Sequence, residues 1–169
     1  VTEDDIPIKE DCPLRPVSPY AVSKVGEDMA AFMYHQAYGL KTIRSRMFTH
    51  SGPRRGEVFV DSWFALQLAR IEHGRQDPIL SVGNLDSVRT FCDVRDTVRA
   101  YWDLIHKCTP GEVYNVGGAT TMTVGEMLDL LLTMKEPDAP EVEVRVDEAL
   151  LRPADVTLQI PCADKFKAE

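Results

Sequence analysis

Between Tyr20 and Gly39 the apolar residues Ala21, Val25, Met29, Phe32 and Met33 recur every three or four positions, the spacing of one helix face. The stretch is bracketed by end signals. Ser18 offers an N-cap hydroxyl, Pro19 suits the first helical turn where a missing N–H costs nothing, and Gly39 fits the left-handed residue that closes a helix. Lys41 to Phe48 alternates well enough for a strand and runs into the polar turn Thr49 to Gly56, T-H-S-G-P-R-R-G. Val58 to His73 repeats a helical pattern, ended by Gly74. Extended pieces follow around Pro78 to Val82 and Val88 to Cys92, joined by a Gly83-Asn84 turn that suits a hairpin. Asp93 to Lys107 is amphipathic, and Glu112 to Val116 reads as a brief strand. Thr123 to Met134 is a helix with Thr123 as its cap and Glu126 at the capping-box position. Val142 to Val146 alternates as a strand, and Leu151 to Pro161 is a proline-bounded loop. Strands and helices therefore alternate, which predicts an α/β fold.

Before the first helix, Val1 to Val17 carries Glu3, Asp4, Asp5 and Glu10 with Pro7, Pro13 and Pro16, and shows no apolar period. An extended loop is expected there. Because Val1 opens on a segment resembling the interior of a larger protein, a fragment is expected as well. With 169 residues, 44% hydrophobic and 27% charged, the chain is of single-domain size. The net charge of -8 argues against nucleic acid as a partner while leaving room for a small anion on a local basic cluster. Cys12, Cys92, Cys108 and Cys162 are widely spaced and the histidines do not cluster, so neither a metal site nor a disulfide framework is indicated. A reducing, cytoplasmic setting is the default expectation. No apolar run approaches the length of a membrane span.

The candidate chemistry sits at Ser18 to Lys24, S-P-Y-A-V-S-K. Four residues is just over one helical turn, so Tyr20 and Lys24 share a face. A phenol ionises near pH 10 and is a poor proton donor or acceptor at neutrality. A fixed ammonium about 4 Å from a phenol, at an effective dielectric of about 20, favours the phenolate by roughly three pH units before desolvation takes some back. Such a pair exchanges protons with a hydroxyl or carbonyl oxygen. The alternative is an exposed i,i+4 contact of little consequence.

S-P-Y-A-V-S-K and R-M-F-T-H-S-G-P-R-R-G, together with V-G-N-L-D-S-V-R-T-F-C-D-V-R-D, V-Y-N-V-G-G and R-P-A-D-V, resemble the extended short-chain dehydrogenase/reductase family acting on nucleotide sugars. The resemblance runs over nearly the whole chain and is strongest to the GDP-mannose 4,6-dehydratase and GDP-6-deoxy-mannose reductase branch. It implies the C-terminal half of a Rossmann-type sheet plus the smaller substrate-binding region, with residues 1–57 as Rossmann remainder and 58–169 as mixed substrate-binding and Rossmann elements. It also implies NAD or NADP as cofactor, a GDP-linked sugar as substrate, and a homodimer or higher homo-oligomer. A UDP- or dTDP-sugar epimerase, or a non-catalytic nucleotide-sugar-binding fragment, stands beside the dehydratase or reductase.

Carried over by position, the resemblance makes Tyr20 the acid/base and Lys24 its partner, both touching the cofactor, with His50 and Arg55 as further cofactor contacts. Thr49, where the family often has Asn, Arg54, Asn84, Arg89, Arg152 and Asp155 are the substrate-side candidates. Each has a plainer reading: Arg54 and Arg55 as a solvated turn, Asn84 as a turn former, Arg89 as an ion pair with Asp86 or Asp93. The family's glycine-rich turn and third catalytic group cannot be assigned within these residues. N-V-G-G at Asn115 to Gly118 reads as a strand-ending turn, since its glycine spacing does not match a phosphate loop.

Overall fold

In a computed structural model, residues 2–151 and 157–169 are described. The first helix, α1 (Pro19–Tyr38), forms where its end signals place it. The Ser18 hydroxyl accepts from the Ala21 N–H at 3.1 Å. Gly39 closes the helix at φ 67, with its N–H on the His35 carbonyl at 2.9 Å, the 5→1 bond of a left-handed helix end. Then come β1 (Arg44–Met47), β2 (His50–Ser51), α2 (Val60–Glu72), β3 (Ile79–Val82) and β4 (Val88–Asp93). They are followed by α3 (Val94–Lys107), β5 (Val113–Val116), β6 (Thr120–Thr123) and α4 (Val124–Thr133). The remainder is β7 (Glu143–Val146), β8 (Leu158–Gln159) and a short α5 (Asp164–Lys167). The capping box of α4 is present in both directions: Thr123 Oγ1 accepts from the Glu126 N–H at 2.9 Å, and Glu126 Oε2 from the Thr123 N–H at 2.7 Å.

The chain divides into two compact units, one of 1–50, 90–121 and 158–169, the other of 51–89 and 122–157. In the first unit β1 and β5 pair in parallel, Arg44 opposite Val113 and Met47 opposite Val116. Its core gathers Ala100, Leu104, Cys108, Tyr114 and Val116, with Ile43, Met47 and Phe166 packed against them. In the second unit β3 pairs in parallel with β7, Ile79 opposite Glu143 and Val82 opposite Val146. Phe64, Leu68 and Ile71 of α2, Leu80 and Val82 of β3, and Val124, Met127 and Leu128 of α4 are its buried apolar residues. Gln67 is buried among them, and its amide accepts from the Ser81 N–H at 2.9 Å and donates to the Ser81 carbonyl at 3.0 Å. A buried amide with both ends satisfied locks α2 to β3 at little net cost.

The hairpin expected at Gly83-Asn84 does not form. β3 pairs with β7, whereas β4 belongs to a different sheet, ordered β2-β4-β6 with β8 also on β4. The connection is instead committed to α4, whose first N–H groups at Val124 and Gly125 donate to the Ser87 and Leu85 carbonyls, both at 2.9 Å. The carbonyls a hairpin turn would need are taken by a helix start. The threonine-rich β6, the two-residue β8 and α5 were also not expected from the sequence pattern.

The N-terminal stretch, expected as an extended loop, opens instead with a 3-10 turn at Glu3–Asp5, and its remainder is pinned. Ile8 donates from its N–H to the Ile160 carbonyl and accepts from the Cys162 N–H, both at 2.8 Å. Glu10 Oε1 accepts from the Asn115 N–H at 2.8 Å, and Asn115 Nδ2 donates to the Ile8 carbonyl at 2.8 Å. No residue of α1 is buried, so its placement depends on polar bonds. Asp28 supplies them: its carboxylate takes Arg44 Nη1 at 3.1 Å and Arg46 Nε at 2.8 Å, with all three side chains at most 20% exposed.

Gly117 and Gly118 end β5 where two backbones meet. A Cβ on Gly117 would press on Pro161 Cγ at 2.6 Å, and one on Gly118 would overlap the Phe91 carbonyl. The N-V-G-G motif is thus a close-approach device, consistent with its reading as a strand end. Gly26, by contrast, lies inside α1 with nothing within 4 Å of an added Cβ. Gly118→Ala is expected to cost about 2–3 kcal/mol in urea unfolding, and Gly26→Ala to gain about 0.5–1 kcal/mol.

Asp28 gives a second expectation. Burial pushes its carboxyl up, but hydrogen bonds and charge from Arg46 and Arg44 outweigh that and hold it below its ordinary value of 3.8. A depressed folded value means the stabilisation is present above pH 4 and is lost as pH falls through that folded value. Asp28→Asn should cost about 3 kcal/mol at pH 7, by leaving two half-buried guanidinium groups without their anion. The deficit relative to the unsubstituted chain should shrink in unfolding curves taken at pH 3.

Candidate functional site

Tyr20 and Lys24 lie in the first turns of α1 in the first unit, and both face outward; Tyr20 is 72% exposed. Lys24 Nζ is 5.7 Å from the centre of the Tyr20 ring. The shared face predicted from the four-residue spacing is present. A third group stands on it: Glu27 holds the Lys24 ammonium with both carboxylate oxygens at 3.0 Å. That hydrogen bond, then the Glu27 charge, raises the Lys24 ammonium above its ordinary value, so it stays charged through the neutral range.

The turn after β1 carries the next candidates. Thr49 is half-buried, and its carbonyl accepts from the Cys92 N–H at 3.0 Å. His50 Nδ1 lies 3.0 Å from the Phe48 carbonyl. A carbonyl only accepts, so Nδ1 carries the proton and Nε2 is left as an acceptor. Arg54 adopts φ 71, a left-handed backbone unusual outside glycine, and its side chain is exposed. Arg55 follows with a different fate. Its Nε pairs with Asp61 Oδ1 at 3.5 Å, its guanidinium carbon sits 4.0 Å over the Phe59 ring, and its Nη1 is buried without an acceptor among the described residues. Asp61 also accepts a hydrogen bond from the Ser51 hydroxyl. Arg55 is therefore held by an anion, an aromatic face and a packed loop, with a donor to spare.

Asn84 Oδ1 accepts from the Asp86 N–H at 2.9 Å, which makes it a turn former as the plainer reading had it. Arg89 sits in β4 with Nη1 donating to the Val88 carbonyl at 2.9 Å. Asp93, one of its suggested partners, caps α3 and grips Arg95 through two bonds of 2.6 and 2.8 Å. Arg152 and Asp155 lie outside the described residues. The first unit thus holds Tyr20, Lys24, Thr49 and His50, and the second holds Arg54, Arg55, Asn84 and Arg89.

Three contributors were missed from sequence. Glu27 could have been found, because i,i+3 from Lys24 places it on the same face. Ser51 and Asp61 carry no local signal, since their bond spans ten residues and a helix start. Among the described residues no group of acidic, histidine or cysteine side chains is arranged to hold a metal ion, and no helix is long and apolar enough to cross a membrane.

Residues 2–169 match the family model described as GDP-mannose 4,6 dehydratase. The chain is 34% identical over 155 residues to the GDP-6-deoxy-D-mannose reductase of Pseudomonas aeruginosa, covering 92% of this chain and 50% of that one. Against a GDP-mannose 4,6-dehydratase of Vibrio cholerae it is 31% identical, covering 90% and 47%. Among solved structures, RMD from Pseudomonas aeruginosa complexed with NADPH superposes with a TM-score of 0.88 at 30% identity, over 99% of this chain and 55% of that one. A UDP-glucose 4-epimerase from Thermotoga maritima, solved with UDP-glucose, gives a TM-score of 0.78 at 28% identity, over 96% and 50%. The chain spans about half the length of the curated relatives it matches. The α/β reading holds, and the chain covers about half of each of these solved structures.

The hold on Arg55 is open to direct test. Asp61→Ala removes the only anion paired with Arg55 among the described residues, and should cost about 1–3 kcal/mol in urea unfolding. Ser51→Ala, which removes a neutral donor, should cost about 1 kcal/mol or less.

Proposed function

The chain belongs to the GDP-mannose 4,6-dehydratase family, and from that membership we propose that it forms the Tyr–Lys half of a nucleotide-sugar 4,6-dehydratase or 4-keto reductase. The observation that carries the proposal is the exposed Tyr20 with the Lys24 ammonium 5.7 Å from its ring, on a capped helix anchored through Asp28. Tyr20 exchanges a proton with the oxygen on sugar C4, and Lys24 keeps a positive charge beside the phenol. NAD or NADP, when bound, supplies the hydride exchange at that carbon. The residues present fit such a group: Lys24 brings an ammonium, His50 Nε2 a free acceptor position, and Arg55 the buried Nη1 donor. Each suits ribose hydroxyls or phosphate oxygens.

The substrate side is assigned to Thr49, Arg54, Asn84 and Arg89, with Arg152 and Asp155 from the chain segment beyond β7. GDP is proposed as the nucleotide on the strength of the GDP-sugar relatives. A UDP- or dTDP-sugar epimerase is the second reading, favoured by the structural likeness to the epimerase solved with UDP-glucose. A cytoplasmic location is proposed alongside. So is a homodimer that uses the half-exposed Met29, Phe32 and Met33 of α1.

The 169-residue chain alone, mixed with NADPH and a 4-keto GDP-sugar, is expected to bind GDP without consuming NADPH; turnover would show that it needs no further segment. In a protein of the relatives' full length that contains this segment, Tyr20→Phe should lower turnover by about 10²–10⁴ with GDP binding unchanged. Near-normal turnover would remove Tyr20 from the proton transfer.

A further inference from the structure

Glu27 has no part in the reading above, yet it is the nearest charged group to the residues that do the chemistry. At 100° per residue, Tyr20, Lys24 and Glu27 fall within about 60° of one another around α1. The carboxylate meets the ammonium with both oxygens at 3.0 Å, while the ammonium stands 5.7 Å from the phenol ring. One ammonium is therefore shared between a carboxylate in contact and a phenol at a distance.

Two effects of the carboxylate act in the same direction. It draws the ammonium to itself, and as a like charge it opposes the phenolate that proton transfer requires. The remaining groups around Lys24 do not cancel this. Asp28, the next acid along the helix, is taken by Arg44 and Arg46, and Tyr101 of α3 is the other side chain whose charge Lys24 feels. Glu27 is 66% exposed and Lys24 51%, so solvent or a ligand reaches both.

We propose that Glu27 is a positioning residue that restrains the Tyr20–Lys24 pair, holding the Lys24 ammonium on the carboxylate until a bound ligand's oxygen takes it over. The proposal rests on Lys24 acting on Tyr20, and the outcomes below separate failure of that premise from failure of the proposal. Glu27 moves no proton itself. The larger part of its effect on Tyr20 passes through the position of Lys24, and this separates it from a carboxylate that is merely nearby.

The test is a double-mutant cycle on the 169-residue chain, with the ionisation of Tyr20 followed at its ring Cζ and that of Lys24 at Cε by NMR. Glu27→Gln is expected to let Tyr20 ionise at a pH lower by about one unit or more, of which neutralising one charge on the order of 7 Å away in water supplies about 0.4 and the released ammonium the rest. With Lys24→Met in place, the shift caused by Glu27→Gln should fall to less than half its size. Lys24 should itself titrate lower once Glu27 is neutral. Equal Glu27→Gln shifts in both backgrounds, or no shift in either, would show Glu27 to be at most a distant like charge and overturn the proposal. A Lys24 titration unchanged by Glu27→Gln would do the same. If Lys24→Met alone left Tyr20 unmoved, the lysine-tuned phenol would fall first and the role of Glu27 with it.

Discussion

The Asp28 carboxylate, set between Arg44 and Arg46, is the interaction on which the placement of the chemistry depends. A helix is ordinarily fixed by an apolar stripe pressed into a core. α1 has no buried residue, so that source of order is weak. Arg44 and Arg46 are two positions apart on β1 and so project to one face of the strand. Both turn to the same acid, with Arg44 also 5.0 Å from the centre of the Phe32 ring. Arg44 Nη2 and Arg46 Nη1 reach the Gly111 and Glu10 carbonyls at 3.3 and 2.8 Å. Three segments distant in sequence are thereby tied to two neighbouring guanidinium groups. Tyr20 and Lys24 inherit their position from this tie, eight and four residues before Asp28.

The division of the chain into two units bears on how a site could be supplied. The chain passes from one unit to the other between residues 50 and 51, 89 and 90, 121 and 122, and 157 and 158. The first passage falls inside T-H-S-G-P-R-R-G, within β2. The groups suited to proton exchange come before it, and the guanidinium groups suited to anions come after. One eight-residue turn therefore carries both kinds of chemistry along the chain. Its restraints are correspondingly dense: Arg54 at positive φ, Arg55 over Phe59, and Asp61 engaging both Ser51 and Arg55. A turn held this way keeps its donors in place at little further entropic cost when a ligand arrives.

What was legible in the sequence was local. Ser18, Gly39, Thr123 and Glu126 work through neighbours three to five residues away, so their roles follow from residue type and spacing. The alternation of strands and helices likewise survived into the α/β fold. The hairpin failed because the carbonyls of its turn are claimed by α4, some forty residues later, which no local pattern encodes. The same limit hid Asp61, whose partners are placed by the fold. Gly118 was legible as a turn glycine, but its reason, the Phe91 carbonyl against its α-carbon, lies in a strand more than twenty residues earlier. Glu27 acts locally as well, since it follows Lys24 by three residues and shares its helix face.

That face also limits what a Tyr-x-x-x-Lys spacing can be taken to mean. The favourable arithmetic assumed an ammonium about 4 Å from the phenol, in surroundings with an effective dielectric of about 20. With 5.7 Å to the ring centre and open water around it, the same Coulomb attraction is about six-fold weaker. Glu27 reduces it further by taking the ammonium in two bonds. A strongly tuned phenol therefore requires two events that the spacing alone does not provide: water must leave the face, and the ammonium must exchange its carboxylate partner for another acceptor. A ligand rich in hydroxyl and phosphate oxygens does both at once, by covering Tyr20 and by offering Lys24 new partners. On the proposed reading of Tyr20 and Lys24, the pair becomes competent when such a ligand occupies it.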